Sequence, residues 1–130
     1  MAHVSGLRGV LAILAASFAA PLPIALLSTV MDRGTNPIFV LVMAFGVPIA
    51  LFHVTVLGVP GFVLLAEHYR PNWLRVALAG FLIGALPWGS TDLFLNPYDW
   101  VSTAGTVVAM GVCGIAGALV FWAIVRHEPK

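Results

Sequence analysis

Residues 48–73 read PIALFHVTVLGVPGFVLLAEHYRPNW. One ionisable side chain, His53, sits deep in an apolar run. The Gly58-Val59-Pro60-Gly61 step interrupts that run, and the densest charge cluster, Glu67-His68-Tyr69-Arg70, closes it ahead of Pro71. The apolar stretch is continuous rather than alternating, the pattern of a helix with apolar surroundings on every side. In a bilayer the backbone has no water to bond and is satisfied only inside helices or a closed barrel. This stretch is therefore a membrane helix with a bend in it.

The rest of the chain agrees. Its 130 residues are 61% hydrophobic and 8% charged, with a mean hydropathy of +1.04. A soluble domain carries roughly a quarter charged residues, so this chain has too few polar groups to cover a water-facing surface. The net charge of +1 and the lack of any basic stripe exclude nucleic acid as a partner. Cys113, the single cysteine, lies in an apolar run. It cannot form an intrachain disulfide, a Cys-x-x-Cys centre or a cysteine zinc site. Gly111, Gly114 and Gly117 are not a phosphate loop, because no strand precedes them and they fall inside an apolar run. No motif calls for a cofactor or a metal.

Outward from the opening stretch, the pattern predicts an all-α integral membrane four-helix bundle, one domain over 1–130, with helices at about 9–31, 38–66, 72–89 and 101–125. The opening residues followed by Ser17, Ala19 and Ala20 look like a signal peptide, but the apolar run continues to Met31, longer than such a segment. Residues 9–31 instead make a first helix about 34 Å long at about 1.5 Å per residue. Pro21 and Pro23 should loosen its second half, and Ala12, Ala16 and Ala20 give it a flat face. Pro37 suits the first position of the second helix, with Asn36 as cap. At 38–66 that helix exceeds a bilayer's need and must tilt, kink or emerge. Pro48 and the Gly58–Gly61 step favour a kink.

Gly80-Phe81-Leu82-Ile83-Gly84 in the third helix is a small-xxx-small motif that lets two helix backbones approach closely. In the fourth helix Ala109, Cys113 and Gly117 form a line of the same kind, with Gly114 and Ala118 beside it. Ser90 to Trp100 is read as the longest connection, lying at the membrane interface.

Basic residues set the orientation. Arg8, Arg70, Arg75, Arg126 and Lys130 fall on one side and only Arg33 on the other, which places both termini in the cytoplasm. Asp32, Asp92 and Asp99 fall outside. Tyr69, Trp73 and Trp122 are expected at the inner boundary and Trp88, Tyr98 and Trp100 at the outer one.

Three places carry candidate chemistry. His53, near the middle of its helix, is a proton-relay or ligand-binding candidate, or else a structural residue donating to a carbonyl from another element. Glu67, His68 and Arg70 form an inner-surface polar cluster, read either as acid/base groups or as a solvated turn. Ser90, Thr91, Asp92 and Asp99 form an outer cluster, read either as a cation or headgroup site or as caps and interfacial solvation.

The run from His53 to Leu65, the Arg70-Pro-Asn-Trp73 turn and the Ala79 to Trp88 segment resemble small four-helix inner-membrane proteins of uncharacterised bacterial families. The resemblance covers about a third of the chain and implies fold and location but no activity. The expected role is a binding or interaction protein, an accessory subunit or an immunity-type protein, whose partners are the lipid bilayer and another membrane protein or a second copy. The alternatives are an oligomeric transporter or channel with His53 in the pathway, and an enzyme acting on a lipid-linked substrate.

Overall fold

The computed structural model describes residues 6–32, 37–95 and 97–126. Its helices are α1 (Gly6–Ala19), α2 (Leu22–Asp32), α3 (Pro37–His53), α4 (Val59–His68), α5 (Trp73–Leu95) and α6 (Trp100–Val125), and a π-helical turn, Val54–Gly58, joins α3 to α4. They form four spans long and apolar enough to cross a membrane: Gly6–Met31, Pro37–His68, Trp73–Leu95 and Trp100–Val125.

The proline and glycine steps act locally. In span 1 the helix breaks at Ala20 and Pro21, and α2 resumes with Pro23 in its first turn, where a missing N–H leaves no bond unmade. In span 2 Pro48 lies inside α3 without interrupting it. Pro60 has no N–H for the carbonyl four residues back and its ring crowds that turn. The helix widens just ahead of it, and Val59 N–H bonds Val54 O, five residues back. Gly58 keeps helical angles, φ −67° and ψ −50°. The step therefore loosens span 2 without turning the chain back.

Span 3 departs from expectation. Ser90 to Leu95 belong to α5 and not to an interfacial connection. The Ser90 and Thr91 hydroxyls both donate to the Pro87 carbonyl, at 2.9 and 2.8 Å, so these polar side chains are satisfied within the helix and let it continue. Asn72 caps α5 by accepting from Arg75 N at 2.8 Å. Asp99 caps α6 by accepting from Ser102 N at 3.0 Å.

Packing runs through small residues. Lipid tails are as apolar as leucine, so membrane helices associate through close contact and not by expelling water. Gly80 and Gly84 of α5 meet Gly114 of α6 backbone to backbone. A methyl added at Gly80 would lie 2.5 Å from the Gly114 carbonyl oxygen, and one at Gly84 would lie 3.1 Å from Gly114 Cα. The Phe81 ring covers Gly111. A second face of α6 receives α1: Gly117 approaches the Ala16 carbonyl and Ala20 Cβ, at 3.2 and 3.3 Å from where its own Cβ would stand. Ala12 and Ala16 are fully buried. Cys113 is buried as well, whereas Ala109 is only half-buried. The small-residue faces are thus used within the chain, and large side chains such as Leu82 and Leu86 point outward.

Span 2 is held differently. None of its residues is buried. Gly46 rests on Pro21 at the break of span 1, and Phe62 packs edge-on against Phe121 of α6, ring centres 5.2 Å apart.

Gly114→Ala would drive a methyl onto the Gly80 carbonyl oxygen, and overpacking of this kind costs roughly 1–3 kcal/mol. The expected result is a lower unfolding midpoint in a detergent titration. Gly105→Ala, with nothing within 4 Å of its added methyl, should leave the midpoint unchanged or slightly raised; equal loss in both variants would contradict the contact.

Candidate functional site

His53 ends α3 at the start of the π turn. Its Nδ1 lies 2.9 Å from the Ile49 carbonyl oxygen. A carbonyl can only accept, so Nδ1 carries a proton, and in the neutral form of the ring Nε2 is then an acceptor. The partner is therefore one turn back on the same helix and not on another element, as the sequence suggested. A histidine inside a helix can reach the carbonyl four residues earlier, which that reading did not weigh. The ring also lies nearly parallel to Trp88 of α5, at 6.4 Å and 22°, and edge-on to Phe52 at 5.9 Å.

Because α5 runs on to Leu95, the Trp88 indole sits about 10 Å inside the end of its helix at about 1.5 Å per residue. Counted from the adjacent ends of their spans, His68 and Trp73, His53 and Trp88 both lie about 22 Å along, at about 1.5 Å per residue.

His53 and Trp88 both line a crevice of about 360 Å³ between span 2 and the other three spans. Glycines make much of this space: Gly46 and Gly58 from span 2, Gly80 and Gly84 from α5, and Gly114 and Gly117 from α6 all border it. Pro21, Phe45, Phe62 and Phe121 also line it. The walls are almost wholly apolar, and His53 is the only basic or acidic side chain among them, with the Cys113 thiol the one other titratable group. Neither His53 Nε2 nor the Trp88 indole N–H is a sealed, partnerless atom.

The other candidates do not gather into a site of this kind. Glu67, His68 and Arg70 are exposed at the end of α4 and in the turn after it. Their neighbourhood is bonded locally: His68 Nδ1 to the Leu64 carbonyl at 3.0 Å, Arg75 Nη1 to the Arg70 carbonyl at 3.2 Å, and the Arg75 guanidinium over the Tyr69 ring at 5.2 Å. On the opposite side, Ser90 and Thr91 bond Pro87 and Asp99 caps α6, while Asp92 lies half-buried in α5. Among the described residues no group of three or more His, Cys, Asp or Glu is placed to hold a metal ion.

Trp88 is the site residue that the sequence reading did not pair with His53. That reading ended the third helix at 89, although the hydroxyls of Ser90 and Thr91 can extend a helix instead of ending it. The chain matches no protein-family model, no curated protein and no solved structure.

Proposed function

We propose that the chain is a small multi-pass protein of the bacterial inner membrane, with both termini in the cytoplasm, that works by binding another membrane protein as an accessory or immunity-type subunit. One observation carries this reading. Span 2 buries none of its residues, while the glycine faces of the other spans are occupied by one another. Leu41, Phe45, Phe52 and Val56 are exposed by 53%, 67%, 64% and 48% and recur at four- and seven-residue spacing, which puts them on one side of a helix. A partner's helix laid along that stripe would complete the packing that span 2 lacks. The local bonding of the two surface clusters favours binding over catalysis.

A transporter built from several copies is the second reading, because the crevice reaches His53. Its apolar walls weigh against a water-filled route.

The partner reading is tested by a photo-crosslinking residue at Phe52 or Val56 in cells. The expected outcome is a discrete protein adduct from these positions and none from Leu86, which is equally outward-facing on α5. Lipid adducts alone at all three would contradict it, and an adduct of two copies of this chain would move the balance to the second reading. Orientation rests on Arg8, Arg70, Arg75, Arg126 and Lys130 facing the cytoplasm. A cysteine at Tyr98 should then react with an impermeant maleimide on intact spheroplasts while one at His68 does not, and the reverse pattern would invert the topology.

A further inference from the structure

We propose that the crevice at His53 is a binding site for a neutral, membrane-dissolved lipophilic molecule that carries a hydroxyl group, a lipophilic phenol or alcohol. Size comes first. The crevice holds about 360 Å³, within the range of about 300–1,000 Å³ typical of small-molecule sites.

Polarity narrows the class. The walls are apolar and hold no lysine, arginine, aspartate or glutamate, so an anionic headgroup would lose its hydration and meet no cation. Two polar nitrogens are available at one depth. With Nδ1 donating to the Ile49 carbonyl, His53 Nε2 is an acceptor in the neutral ring, and the Trp88 indole N–H can only donate. The two rings lie 6.4 Å apart and nearly parallel. A hydroxyl donates to the first and accepts from the second. A ketone or ester has no proton for Nε2.

Both residues lie about 22 Å, at about 1.5 Å per residue, from the ends of their helices that the 69–72 turn joins, so the two rings meet the same level of the crevice. This site lies between span 2 and the other spans; of the stripe offered to a partner, Phe45 also borders it, while Leu41, Phe52 and Val56 do not.

The test uses protein reconstituted in phosphatidylcholine nanodiscs, with Trp73, Trp100 and Trp122 replaced by Phe so that Trp88 alone fluoresces. The probe is a bromine-bearing 4-alkylphenol, whose heavy atom quenches a nearby indole, compared with its methyl ether. Saturable quenching by the phenol, with the ether roughly three- to ten-fold weaker as loss of one hydrogen bond implies, is the expected result. In His53→Phe, which keeps an aromatic ring in place, that preference should vanish while the helical circular dichroism stays. Equal and non-saturating quenching by phenol and ether, the signature of lipid partitioning alone, would overturn the proposal, as would a phenol preference that survives in His53→Phe.

Discussion

The structure depends on the contact of Gly80 and Gly84 with Gly114. In lipid, two helices gain little from burying leucines against each other, so association requires backbones close enough for dispersion to add up over many atoms. Any side chain at these positions holds the helices apart: a methyl on Gly114 would collide with the Gly80 carbonyl, and one on Gly84 with that of Met110. With all three positions bare, α5 and α6 lie against each other over most of their length. α6 then uses a separate face, at Gly117, to take up Ala16 and Ala20 of span 1. Three spans thus form a close-packed body whose buried side chains are small, Ser17 being the largest of those fully buried.

The same constraint explains the crevice. Span 2 has glycines, but they are spread along it, and Pro60 forces a π turn where it passes the middle of the bundle. It touches the body at Gly46 on Pro21 and at Phe62 on Phe121, and the crevice opens between it and the other spans. The glycines that let α5 and α6 meet also leave no side chains to fill the gap. His53 enters the gap at the end of α3, its proton fixed on Nδ1 by Ile49. The most polar intramembrane position and the loosest packing therefore coincide, and this joins the fold to a binding function.

Much of the architecture was legible in the sequence, because a bilayer admits few arrangements. Long apolar runs between charged turns define four spans, Pro21 and Pro60 mark where helices must yield, and Gly80-x-x-x-Gly84 announces a close contact. The partner of that motif was not legible: Gly114 sits beside a line of Ala109, Cys113 and Gly117 that fits a helix face equally well, and only three-dimensional packing separates the side that meets α5 from the side that meets α1. The extent of α5 was misread because Ser90, Thr91 and Asp92 look like a loop in composition, while their hydroxyls bond backward within the helix. The pairing of Trp88 with His53 was hidden as well, a contact between residues far apart in the chain that no local pattern encodes.

The central claim is a rigid α5–α6 body with span 2 standing off from it, and interspan distances test it most directly. Spin labels at Leu82 and Val112, both outward-facing on α5 and α6, and in a second sample at Phe52 and Leu86, would be measured by pulsed dipolar spectroscopy in nanodiscs on a Cys113→Ala background. The account predicts a narrow distance distribution for the first pair and a markedly broader one for the second. Equal widths, or a broader distribution between α5 and α6, would contradict it.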